Sequence, residues 1–98
     1  MAAAKSGVVT VTTAGTAVQG PDVEAGEYLI KADPENTGFI YVGNDGAGDV
    51  ASANGFKLGA GEVCAVRTAN LDEYWFDSSV SGEKATWLRI ASLGVVMG

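Results

Sequence analysis

The groups available for chemistry in this 98-residue chain are twelve carboxylates, scattered hydroxyls and one thiol, Cys64; there is no histidine. Zinc sites draw on several cysteines and histidines, so the chain lacks their ligands. Nucleophilic catalysis needs a base beside Ser, Thr or Cys, and without histidine only lysine or a carboxylate is left, with no spacing that singles one out. Asp72-Glu73 is a tempting acid pair. In a strand, however, adjacent side chains point to opposite faces and cannot flank one bond as a glycosidase pair must. Cys64 lies in the apolar run Val63-Cys64-Ala65-Val66, the setting of a small buried hydrophobe. A reactive thiol needs an electropositive neighbourhood instead. No catalytic residue is assigned.

Two further motifs share the segment after Val42. Gly46-Ala47-Gly48-Asp49-Val50-Ala51 fits G-x-G-x-x-A behind a predicted strand, the pattern that lets a pyrophosphate approach backbone at a helix N-terminus. The residues that follow are small, and Asn54-Gly55 interrupts them, so no helix is expected there and no cofactor is assigned. Asn44, Asp45 and Asp49 could chelate calcium, but such glycine-aspartate motifs work by stacking and this is a single copy. No metal is assigned, and residues 45–55 are expected to form an exposed inter-strand loop.

The elements that would position any site are strands. Fourteen glycines punctuate a chain that is 47% hydrophobic, enough for one small domain with one core. Val/Thr-rich and aromatic runs lie between the turn signals at 8–13, 16–19, 27–32, 39–42, 63–68, 73–77 and 85–90. They predict an all-β fold, a compact antiparallel β-sandwich or jelly-roll-like domain of about seven short strands over residues 8–98. Glycines at 55, 59, 61 and 82 are expected to make tight reversals with positive φ. Asn70 with Glu73 three residues on resembles a helix cap, but Tyr74-Trp75-Phe76 favours strand, so a turn at Asn70-Leu71-Asp72 followed by a strand is expected. Residues 1–7 read as an N-terminal arm, either ordered on a neighbouring subunit or frayed.

Charge narrows the partners. Six bases stand against twelve acids, and residues 1–49 hold two of the bases and seven of the acids. The bases are scattered and form no stripe that could release phosphate counterions, so no nucleic-acid partner is expected. No secretory h-region and no membrane-length apolar run is present, so no membrane partner is expected and synthesis in the cytoplasm is.

The aromatic residues are the most informative. In a strand, Trp75 points to one face and Tyr74 with Phe76 to the other; Ala85, Trp87 and Arg89 share one face, and Thr86, Leu88 and Ile90 the other. Tyr74, Trp75, Phe76 and Trp87 therefore either close the sandwich core or anchor an interface, where Trp and Tyr are enriched.

Asn36-Thr37-Gly38-Phe39-Ile40-Tyr41-Val42-Gly43-Asn44, Gly55-Phe56-Lys57-Leu58-Gly59-Ala60-Gly61-Glu62, Asn70-Leu71-Asp72-Glu73-Tyr74-Trp75-Phe76, Ser81-Gly82-Glu83 and Trp87-Leu88-Arg89-Ile90 follow in an order that resembles small virion structural proteins of tailed bacteriophages. The resemblance covers about residues 27–91. It implies a β-sandwich capsid decoration or cement protein, a homotrimer on the outer capsid surface with the major capsid protein as its partner. A module of a head or tail appendage is the alternative within that class, and a glycan-binding β-sandwich the alternative outside it. On this reading the acidic first half would face solvent and the nearly neutral second half the shell.

Overall fold

A computed structural model describes residues 5–43 and 55–91. The strands run in order β1 (Lys5–Val11), β2 (Val18–Gln19), β3 (Glu24–Ala32), β4 (Ile40–Gly43), β5 (Phe56–Leu58), β6 (Val63–Asn70), β7 (Trp75–Ser78) and β8 (Glu83–Ala91), with one 3-10 turn at Leu71–Glu73. They build two four-stranded sheets, β1-β8-β3-β6 and β2-β7-β4-β5, in which every pair is antiparallel. The pairing is nested: β4 with β5, β3 with β6, β2 with β7 and β1 with β8. One long hairpin wrapped into two sheets produces that nesting, which is the jelly roll. The all-β sandwich expected from the sequence is observed, with eight strands among the described residues. The addition is β5, whose three residues between Gly55 and Gly59 are too short to stand out in a sequence.

The first strand starts earlier than its Val/Thr run suggests. Lys5, Ser6 and Gly7 pair with Arg89, Leu88 and Trp87, so they belong to the sheet rather than to an arm. Backbone hydrogen bonds place them there, and these leave no mark in side-chain composition. Gly7 also has a steric reason: a Cβ on it would stand 2.6 Å from the Trp87 ring.

Alternation sends Val9, Val11, Tyr28, Ile30, Ala85 and Trp87 of the first sheet inward against Ile40, Val42, Leu58 and Phe76 of the second. Tyr28 and Trp87 meet edge to face with centroids 5.7 Å apart, the geometry their ring quadrupoles favour. Arg89 closes one end of the first sheet's inner face; its Nη2 and Nε donate to the Ala25 carbonyl at 2.6 and 3.2 Å.

Polar side chains tie the connections down. Asn70 Oδ1 accepts from Asp72 N–H at 2.9 Å, which caps the 3-10 turn, and from Val23 N–H at 3.1 Å, which holds the β2–β3 connection. The expected turn followed by a strand is present, but the strand begins at Trp75 and Glu73 stays in the turn, where its Oε1 accepts from Thr68 Oγ1 at 2.6 Å. Asp72-Glu73 is thus a turn pair and not a strand pair.

Glu83 plays the same part at the start of β8. Its carboxylate accepts from Thr37 N–H at 2.6 Å, Gly38 N–H at 2.9 Å and Thr37 Oγ1 at 3.0 Å. Burial by itself would raise its pKa, but these three donors outweigh burial and hold the carboxyl below its ordinary range. Gly61 and Gly82 take the expected positive φ, and Gly82 N–H donates to the Val11 carbonyl at 2.8 Å. Gly59 does not; its N–H donates to Glu62 Oε1 at 2.6 Å.

Candidate docking surface

The four aromatics singled out in the sequence do not gather into one patch. Phe76 is fully buried and Trp87 is 8% exposed, both on inner faces. They are core residues, so neither offers a surface to a partner. Tyr74 is half-buried and packs against the core. Trp75 has the opposite parity, as alternation requires: it lies half-buried on the outer face of the second sheet, in one cross-strand row with Gln19 and Gly43. An interface role is left to Tyr74 and Trp75.

A surface that the sequence reasoning did not select lies on the outer face of the first sheet. The register sets Ser6, Leu88, Leu29 and Ala65 in one row across all four strands, and Val8, Thr86, Lys31 and Val63 in the next. Val8, Val63 and Leu88 from these rows are 58%, 49% and 41% exposed, and Ile90, outward on β8, is 44% exposed. A shallow depression lies on this face, lined by Val8, Leu29, Val63 and Leu88 together with Lys31 and Thr86. An antiparallel sheet with one face in water normally carries polar residues there. Contiguous apolar side chains on that face make it the candidate docking surface of the described residues.

A signal for this face was present. β8 is apolar on both parities, with Trp87 facing in and Leu88 and Ile90 facing out, and Val8-Val9 and Leu29-Ile30 repeat the pattern. In the sequence alone, large aromatic area favours Trp87 as the anchor. The parity holding Leu88 and Ile90 is the one left open.

Charge on this face also departs from the rest of the chain. Lys31, Arg67 and Lys84 project outward with Glu27, so among the described residues the face carries three bases and one acid. Arg67 Nε and Glu27 Oε1 are 3.7 Å apart. Both sheets mix strands from the first and second halves of the sequence. Charge polarity between sequence halves therefore does not translate into opposite faces of the molecule. The polarity that the fold creates is between this one face and the acidic remainder.

Other candidate chemistry is sparse. Cys64 faces inward, half-buried against the core, and burial pushes its thiol pKa up, away from reactivity. Among the described residues no three His, Cys, Asp or Glu side chains are grouped to hold a metal ion, and no helix is long and apolar enough to cross a membrane. The G-x-G-x-x-A segment, the Asn44, Asp45 and Asp49 cluster, and the expected loop up to residue 54 lie outside the described residues. Comparison of the chain with protein-family models, curated proteins and solved structures gives no match.

Proposed function

We propose that this chain is a structural protein of a tailed-phage virion, a capsid decoration or cement protein that binds the outer surface of the assembled shell. The observation that supports this reading best is the open apolar face of the first sheet on a small jelly-roll sandwich. Jelly rolls serve in viral capsids and in lectins, so the architecture is compatible with the reading without selecting it. The sequence resemblance over residues 27–91 supplies the virion context.

Geometry bears on how such a protein would hold on. Four strands about 4.8 Å apart and about 25 Å long present a face on the order of 500 Å² in plan. A standard interface buries roughly 800 Å² per partner, so one copy would bind weakly. A homotrimer engaging neighbouring capsid subunits through three such faces converts weak contacts into firm retention, because the second and third contacts form at high effective concentration. Bridging subunits in this way would stabilise the shell against heat. The function needs adhesion and no catalytic step.

The test is co-sedimentation of the purified protein with undecorated shells of the phage, paired with the shell's heat resistance and with light scattering for the trimer. Binding together with a rise in the temperature of shell disruption is expected. A protein that stays in the supernatant and leaves that temperature unchanged overturns the reading. The glycan-binding alternative now rests on Trp75, since Trp87 is in the core and cannot stack on a sugar ring. Trp75→Ala removes glycan binding on that alternative and leaves shell binding intact on ours.

A further inference from the structure

We infer that the occupant of the first sheet's outer face is a shell-protein surface that pairs apolar side chains with carboxylates, and not a second copy of this chain. The inference rests on the decoration reading and names the chemistry of the partner within it.

The apolar half of the requirement follows from the two cross-strand rows. Seven of their eight residues are uncharged, and six of the seven line the depression, among them the apolar Val8, Leu29, Val63 and Leu88. An apolar side chain entering there would cover valine and leucine side chains, and each fully desolvated anchor of this kind contributes more than a peripheral contact does.

The carboxylate half follows from the charges. Lys31 is the one charged residue in those two rows, and it also lines the depression. Lys84 stands in the adjoining outward row beside Thr10. Arg67 already has Glu27 on the same face, at 3.7 Å. Neither Lys31 nor Lys84 forms an ion pair with a described carboxylate. A partner covering this face strips water from the Lys31 ammonium, which is costly unless a carboxylate replaces that water.

The same charges argue against a second copy in face-to-face packing. Among the described residues, each copy would bring three bases and one acid to the contact, and juxtaposed like charges disfavour association. Self-association through this face is opposed, while an acidic apolar surface is both steered toward it and held by it.

The experiment is zero-length carbodiimide cross-linking of the protein on undecorated shells, with linked peptides mapped by mass spectrometry. Alongside it, shell binding of Lys31→Glu and Leu88→Asp is measured at low and moderate salt, with circular dichroism and light scattering checking fold and trimer. Expected are amide links from Lys31 or Lys84 to Asp or Glu of the major capsid protein. Lys31→Glu should weaken binding by roughly tenfold or more at low salt, and less as salt screens the charge. Leu88→Asp should weaken binding at both salt concentrations.

Links from these lysines to acids of another copy of this chain would overturn the inference and assign the face to self-assembly. So would normal shell binding by both variants; since the parent protein still binds, the decoration reading would survive and only the assignment of the face would fall. Failure of the parent protein itself to bind shells overturns the decoration reading, and this inference with it.

Discussion

The outer faces of the two sheets are built from similar strands but end in opposite states. On the second sheet, Tyr41 and Asp77 share an outward cross-strand row, yet they are only 5% and 6% exposed. The β1–β2 connection reaches that face, where Gly15 N–H donates to Asp77 Oδ1 at 2.9 Å. Lys57, in the same row as Tyr41, sits 4.8 Å from the centre of the Phe39 ring. On the first sheet, Val8, Val63, Leu88 and Ile90 stand in solvent. The contrast separates a face partly covered by the chain itself, at Tyr41 and Asp77, from one that leaves contiguous apolar side chains uncovered.

The sharpest way to break this comparison uses two neighbours on β8. Trp87 points into the core and Leu88 points out. Trp87→Ala should destabilise the fold by about 3–5 kcal/mol, through lost burial and the cavity left beside Tyr28. Leu88→Asp should change stability by no more than about 0.5 kcal/mol. Urea unfolding of both variants checks this, and similar losses in the two would mean that the outer face is not free. Trp87→Phe refines the core side. Trp87 Nε1 is buried with no hydrogen-bond partner, so phenylalanine removes an unsatisfied donor while it keeps an aromatic ring. Its cost should be far below that of alanine.

Next in size is the closed face. Asp77 also accepts from Ser78 N–H, at 2.7 Å. Asp77→Ala leaves the buried Ser78 N–H and the part-buried Gly15 N–H without their acceptor and should cost about 1–3 kcal/mol. Amide exchange at Gly15 should accelerate in this variant while the amides of β3 and β8 stay protected.

Smaller effects come from the ties between the sheets. The folded-state pKa of Glu83 is depressed, so its contribution to stability is complete above its ordinary value of 4.5 and is lost as pH falls through the folded value. Wild-type stability should therefore decline as pH drops below 4.5. Glu83→Gln should be less stable at neutral pH and show a flatter acid limb in thermal unfolding. Asn70→Ala, which removes the cap of the 3-10 turn, should cost about 1 kcal/mol in the same assay.

The architecture was legible because strand alternation and turn residues act locally. The Tyr74-Trp75-Phe76 parity, the turn at Asn70 and the reversal at Gly82 all follow from rules that span a few residues. β5 and the first residues of β1 escaped because their positions depend on backbone pairing with β4 and β8, partners distant in sequence. Which parity of β8 faces inward is also a long-range fact: Trp87 and the pair Leu88 and Ile90 are both apolar, and only the sheet opposite decides. The charge pattern was hidden for the same reason, since Lys31, Arg67 and Lys84 are far apart in sequence and come onto one face only when β3, β6 and β8 assemble. Conversely, exposure of a large apolar side chain does not by itself single out the first sheet's face, since Phe56 at the edge of the second sheet is 60% exposed and Val8 58%.

That last contrast supplies the most direct test of the open first-sheet face as the adhesive surface. Leu88→Asp and Phe56→Asp place the same charge on exposed apolar positions of the two sheets. Both proteins are mixed with undecorated shells, and the bound fraction after sedimentation is compared with wild type. Loss of binding by Leu88→Asp with retention by Phe56→Asp is the expected result. Retention by Leu88→Asp with loss by Phe56→Asp would contradict it and move the adhesive surface to the second sheet.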